Sequence, residues 1–176
     1  MKKLFAILTC LVSFGAFAQT QVPSPPAVVI QKVGGTEVMI KYAQPAVKGR
    51  LDFGTKAQKA VVPYGEVWCT GANIATGFTL GADIQMGGLK MPKGEYSIWT
   101  LPNAQEWMLI INKETGQFHL NYNVSLDFGR TKMELKTLPD AVETFRVELR
   151  DEGGKKGRLI LLWENTEASM PFTVLP

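Results

Sequence analysis

The chain carries one histidine, His119, and two cysteines, Cys10 and Cys69, in 176 residues. A single imidazole excludes the two- and three-histidine metal centres, and two thiols cannot furnish a structural zinc cluster. No Gly-x-Gly-x-x-Gly, phosphate-loop or Gly-x-Ser-x-Gly string occurs, so dinucleotide, nucleotide and α/β-hydrolase chemistry have no motif to rest on. Nothing is spaced like a calcium loop, and no cofactor or metal is expected. No run of one charge is long enough to track a nucleic-acid backbone, so no nucleic-acid partner is expected either. What is present is the composition of a globular chain, 45% hydrophobic and 20% charged, which excludes a disordered or polytopic membrane protein. One domain of ordinary size follows.

Met1-Lys2-Lys3 is a short positive start, Leu4 to Phe14 is almost wholly apolar, and Ala16-Phe17-Ala18 places small residues three and one before Gln19. That layout is a secretory signal peptide over residues 1–18, cleaved after Ala18. The apolar run falls short of the roughly 20 residues that cross a bilayer core. Export to the periplasm or the cell exterior is therefore expected, with no transmembrane segment in the mature chain. Cys10 offers a lipoprotein alternative, opposed by the short apolar stretch before it and by the size of Thr9. Cleavage leaves 17 Lys and Arg against 16 Asp and Glu, a net charge of +1. Cys69 then stands alone, so no internal disulfide is available and the core must supply the stability.

Residues 19–26 are polar and Pro-rich, an extended lead-in to a single sandwich domain over 27–176. Beyond them, period-two patterns recur about every ten residues. Val38, Ile40 and Tyr42 alternate with polar neighbours, as do Phe78 and Leu80, Met133 and Leu135, and Phe145, Val147 and Leu149. Ile84 to Met91 reads as a hairpin turning on Gly87-Gly88, which pairs Met86 with Leu89 and Ile84 with Met91. Tyr96 to Leu101 and Trp107 to Ile111 carry consecutive apolar groups and suit central strands buried on both faces. Leu159 to Trp163 and Phe172 to Leu175 close the series, and one helical turn fits Lys56 to Ala60. About ten short strands with little or no helix predict an all-β, antiparallel β-sandwich or jelly-roll-like fold. Lys155, Lys156 and Arg158 after Gly153-Gly154 read as a solvated hairpin tip rather than an anion patch.

Catalytic groups are scarce. His119 with Asp127 and Ser97, Ser125 or Cys69 is the one nucleophile–base set the composition allows, and no nucleophile elbow supports its geometry. His119 falls in the strand-like stretch Gln117 to Leu120 and is expected to be a partly exposed strand histidine. Cys69 beside Trp68 reads as a small buried hydrophobe. Trp99 and Trp107 share faces with Leu and Ile and belong to the core. Trp68 and Trp163 can lie inside or on an exposed face suited to stacking on a sugar.

One block is too particular to be generic strand sequence. Lys48-Gly49-Arg50 to Gly54, Val62-Pro63-Tyr64-Gly65-Glu66-Val67-Trp68-Cys69-Thr70-Gly71-Ala72-Asn73-Ile74-Ala75-Thr76, Gly94-Glu95-Tyr96-Ser97, Glu106-Trp107, Asn112 and Asp127 with Arg130 together resemble the domain of unknown function 2911 family. Its members are secreted or periplasmic proteins, mainly of Bacteroidetes. The resemblance runs from about Ser24 to the C-terminus and implies one exported all-β domain, with no activity, substrate or cofactor attached. The family pattern has Arg at the position of Cys69 and Glu at that of Ile74. Losing both charges together keeps the site neutral, which suggests that they pair in relatives.

The remaining polar residues, Arg50, Tyr64, Asn73, His119, Tyr122, Asp127 and Arg130, form the candidate set, with Trp68 beside them. Arg50 and Arg130 can each present a planar fork to a carboxylate, Asp127 or a ligand's. Asn73 is expected to hold a tight turn by bonding its own backbone. The set reads first as a scaffold stapling loops to the sandwich. The function expected from this sequence is a non-catalytic binding module for a small ligand, a glycan or an envelope partner. A periplasmic hydrolase using His119 and Asp127 is the alternative.

Overall fold

A computed structural model describes residues 24–176; the expected signal peptide and most of the lead-in lie outside the described residues. The molecule is built almost entirely from antiparallel strands. A six-stranded sheet has the order β1-β2-β5-β8-β9-β10 and a four-stranded sheet the order β11-β12-β6-β7. The first sheet comprises β1 (Pro26–Val33), β2 (Thr36–Ala43), β5 (Thr76–Leu80), β8 (Gly94–Pro102), β9 (Trp107–Asn112) and β10 (Asp127–Lys132). The second comprises β6 (Ile84–Met86), β7 (Leu89–Met91), β11 (Glu134–Gly153) and β12 (Lys156–Val174). Two short strands, β3 (Phe53–Gly54) and β4 (Val62–Pro63), pair in parallel. A 3-10 turn over Lys56–Gln58 carries a Thr55 capping box. Among the described residues, no helix is long and apolar enough to cross a membrane.

The sheets form where the alternation is strictest. Val38, Ile40 and Tyr42 face inward from β2, Phe78 and Leu80 from β5, and Phe145, Val147 and Leu149 from β11. The Gly87-Gly88 hairpin has the expected register, Met86 opposite Leu89 and Ile84 opposite Met91. Both glycines take positive φ, +51° and +87°, as a two-residue hairpin turn that follows strand twist requires. The β11–β12 hairpin also turns at paired glycines, Gly153-Gly154. Arg158, expected near its tip, is instead bound by Glu152 and Glu134 across the strands.

Strands β8 and β9 are buried on both faces. Their outer face is covered by the excursion of residues 113–126, where the Tyr122 ring packs 5.0 Å from Trp99 and Gln117 Nε2 donates to Ser97 Oγ at 3.0 Å. Two features differ from the sequence reading. The strands expected at 133–135 and 145–149, and those at 159–163 and 172–175, merge into the long β11 and β12, bent by irregularities between Thr137 and Val142 and between Val142 and Arg146. The stretch 117–120 is not a strand: Phe118 makes one bridge to Ile74, and a turn closed by Asn121 N–H to Phe118 O carries His119.

Candidate functional site

The particular block of residues 68–76 is a tightly tied loop. Trp68 and Thr100 exchange two backbone hydrogen bonds of 2.8 and 2.9 Å, pinning the loop to β8. Thr70 and Asn73 both adopt left-handed backbone, φ +55° and +66°, a conformation that a β-branched residue rarely takes. The loop compensates with bonds: Thr76 Oγ1 donates to Thr70 O at 2.7 Å, Thr70 Oγ1 reaches Thr100 Oγ1 at 3.2 Å, and Trp68 Nε1 donates to Gly71 O at 3.0 Å. A Cβ on Gly71 would meet Thr76 Oγ1 at 2.9 Å and Ala43 O at 3.1 Å, so the close approach requires glycine there. Asn73 does not bond its own backbone. Its Nδ2 donates to Ser24 O at 3.0 Å, because the left-handed turn aims the amide at the entering chain.

Beneath this loop is an aromatic cluster. Trp68 stacks on Trp163 with ring centroids 5.4 Å apart and planes 21° from parallel. Phe53, Trp107 and Phe145 meet the pair edge-on, the geometry that ring quadrupoles favour. Trp68 and Trp163, left open by sequence, are both buried, as are Trp99 and Trp107. None of them forms an exposed stacking platform on the outer face of a sheet.

A pocket of about 400 Å³ opens beside the cluster. Its floor includes Trp68, Trp163, Val62 and Cys69, and its rim Lys48, Arg50, Glu66 and His119. The pocket is bounded by the β2–β3 connection, the β4–β5 loop and the 118–120 turn, the first two of which include the segments the sequence marked as unusual. Burial pushes the Cys69 thiol up to about 12, and the cysteine is a packed hydrophobe, as expected. Glu66 is engaged by Lys56 Nζ at 3.0 Å. Arg50 donates from Nε to Val47 O at 3.0 Å and from Nη2 to Ala46 O at 2.5 Å, which parks its guanidinium at the rim.

Asp52 lies behind that rim and was missed by the sequence reading. Its side chain is fully buried, and neither carboxylate oxygen has a hydrogen-bond partner. The nearest cation is Arg50, with Nη2 at 3.7 Å. Burial, then Glu164, then Glu143 push the Asp52 carboxyl up to about 6 against the pull of Arg50. The Trp163 indole N–H is likewise buried without a partner. The available signal was a lone carboxylate between Leu51 and Phe53, next but one to an arginine.

The other candidates lie elsewhere. Tyr122, Asp127 and Arg130 form one network: Tyr122 Oη bonds both Asp127 oxygens at 2.7 and 2.8 Å, and Arg130 reaches Asp127 Oδ2 through Nε and Nη2 at 3.0 and 2.7 Å. Asn112 Nδ2 adds a bond to Asp127 Oδ1 at 2.9 Å. Burial and the Asp127 carboxylate push the Tyr122 phenol up to about 12. This network anchors the 113–126 excursion on β9 and β10. Its arginine fork serves Asp127, whereas that of Arg50 serves backbone carbonyls. Tyr64 lines a separate shallow recess with Phe53, Asn103 and Trp107. Asn73 lines a mainly apolar groove on the outer face of β1, β2 and β5, alongside Val28, Ile74 and Gly77. The structure thus unites Arg50, Trp68 and His119 and leaves Tyr64, Asn73, and the Tyr122–Asp127–Arg130 group apart. Among the described residues, no group of three or more His, Cys, Asp or Glu side chains is placed to hold a metal ion.

No curated protein and no solved structure matches the chain. Residues 24–172 match the family model described as protein of unknown function (DUF2911), and the chain belongs to that family.

Proposed function

We propose that the protein is an exported, non-catalytic binding module whose ligand site is the pocket under the Trp68 loop. The observation that carries this reading is the pocket's construction: a floor of packed tryptophans, a polar rim, and a wall of Trp68, Cys69, Gly71 and Ala72 from a loop tied down by buried hydrogen bonds. A concavity that joins apolar side chains to a few convergent charged groups suits a small amphipathic molecule. The loop's hydrogen bonds pre-organise it, which lowers the entropy cost of binding. Export is supported by the leader-like residues 1–18.

The hydrolase alternative finds less support. Asp127 is engaged by Tyr122, Arg130 and Asn112, while His119 lies on the rim of a pocket to which Asp127 does not contribute. A general base needs its orienting acid within hydrogen-bond reach.

The test is a thermal-shift screen of saccharides, amino acids and small carboxylates, since a ligand that binds only the native state raises the melting temperature. At least one class is expected to raise it for the natural protein and not for a Val67→Phe variant, whose ring narrows the pocket. Equal shifts in both proteins would place the ligand elsewhere and overturn the reading.

A further inference from the structure

Within that binding reading, on which this inference rests, the charges around the pocket specify a ligand class. Lys48 and Arg50 both line it. Among the described residues the Lys48 ammonium has no ion pair, and the carboxylate nearest to Arg50 is the buried Asp52, which is outside hydrogen-bond distance. The rim carboxylate, Glu66, is already neutralised by Lys56. The rim therefore presents two cations whose charge is incompletely answered by the protein. Behind them, Asp52 is enclosed with Glu164 and Glu143 as acidic neighbours and Arg50 as its opposing cation. A fully buried carboxylate without a hydrogen bond is costly to the fold, and such groups concentrate where a protein does something with them.

We propose that the pocket receives a small carboxylate or phosphate anion on Arg50 and Lys48, over the tryptophan floor, and that capture is coupled to uptake of one proton by Asp52. An anion that draws the Arg50 guanidinium into the pocket removes the one cation favouring ionised Asp52. Asp52, left facing Glu164 and Glu143, then takes a proton from solvent. The anion's carboxylate or phosphate is held by the planar fork of Arg50 and the point charge of Lys48. The cavity has room for one molecule of about monosaccharide size.

The experiment titrates the full mature chain with D-glucuronate, succinate and inorganic phosphate, with D-glucose as the neutral counterpart of glucuronate. Tryptophan fluorescence reports binding, because Trp68 and Trp163 line the pocket. At least one anion is expected to bind and glucose is not. Glucuronate affinity should rise on acidification from about pH 8 to pH 6, by up to about tenfold per pH unit, the limit for one coupled proton, and level off below pH 6, where Asp52 of the free protein already holds its proton. The Lys48→Gln and Arg50→Gln variants should each weaken binding, and Lys48 is exposed, so its substitution leaves the fold intact. Asp52→Asn should bind the anion with a flat pH profile, while His119→Asn retains the slope and so separates the imidazole from Asp52. Glucose binding as tightly as glucuronate, or binding by none of the anions, overturns the anion assignment. The binding-module reading then survives if a neutral ligand from the screen binds, and falls with it if nothing does. Anion binding with no pH slope, or a slope that persists in Asp52→Asn, overturns the proton coupling.

Discussion

Arg50 Nη2 stands 3.7 Å from Asp52 Oδ1, near enough to attract the carboxylate and too far to hydrogen-bond it. Asp52 is thus a buried charge with a weak counterion, and its carboxyl lies at about 6 rather than at 3.8. Because the folded value is the higher one, the native state holds a proton more tightly than the unfolded chain. Asp52's contribution to stability is therefore complete below about pH 4 and is lost as pH rises through 6. The loss amounts to about 3 kcal/mol by pH 7. Urea denaturation across this range should show stability falling for the natural protein and a flatter profile for Asp52→Asn. A variant that keeps the full slope would show that another group is responsible.

The stacked Trp68–Trp163 pair sits at the centre of five aromatic rings. Trp163→Ala would empty a large buried volume and is expected to cost about 3–5 kcal/mol. It should also abolish the near-ultraviolet circular dichroism that arises from the coupled indoles. Chemical denaturation and the near-ultraviolet spectrum check both effects.

Asn73 has two separable roles, tolerating left-handed backbone and holding Ser24. Asn73→Gly keeps the first and loses the second, whereas Asn73→Ala loses both. The alanine variant should be less stable than the glycine variant by about 1 kcal/mol, as measured by thermal or urea unfolding.

Tyr122→Phe removes the hydroxyl that joins Asp127 to Arg130. A loss of about 1–2 kcal/mol is expected, concentrated in the 113–126 excursion. Hydrogen exchange should show faster exchange there than in β2 or β12.

The buried Cys69, with its thiol pushed up to about 12, should resist a thiol reagent such as iodoacetamide in the native protein. It should react readily once the chain is unfolded, because only the exposed thiolate attacks.

The strands were most legible where one face is wet. Val38-Ile40-Tyr42 carry a period of two and all three are buried, and the Gly87-Gly88 hairpin, with a turn of matching chemistry, formed in the expected register. The unity of β11 was hidden because irregularities around Val142 interrupt its alternation, so one bent element looks like two. Strand β1 gave little signal, since Val28 and Ile30 face outward from it and an apolar outer residue mimics a core one.

The site was less legible for a different reason. The fork of Arg130 was legible but its partner was not: strand alternation sets residues three apart on opposite faces, and it is the irregularity between Asp127 and Gly129 that accompanies their pairing. Arg50, His119 and Trp163 are far apart in the chain and meet only through the tertiary fold. Whether a tryptophan between apolar neighbours packs inward or faces solvent depends on what covers it, and no local pattern encodes that.

The proposed ligand site is the cavity beside Trp68 and Trp163. The most direct measurement is a nitrogen–proton correlation spectrum of the labelled protein, with and without the strongest ligand from the thermal screen. The indole signals of Trp68 and Trp163 and the amides of Cys69, Ala72 and His119 are expected to move together as the pocket fills. Shifts confined to the outer groove around Val28 and Gly77, or to the Tyr122–Arg130 network, would contradict it.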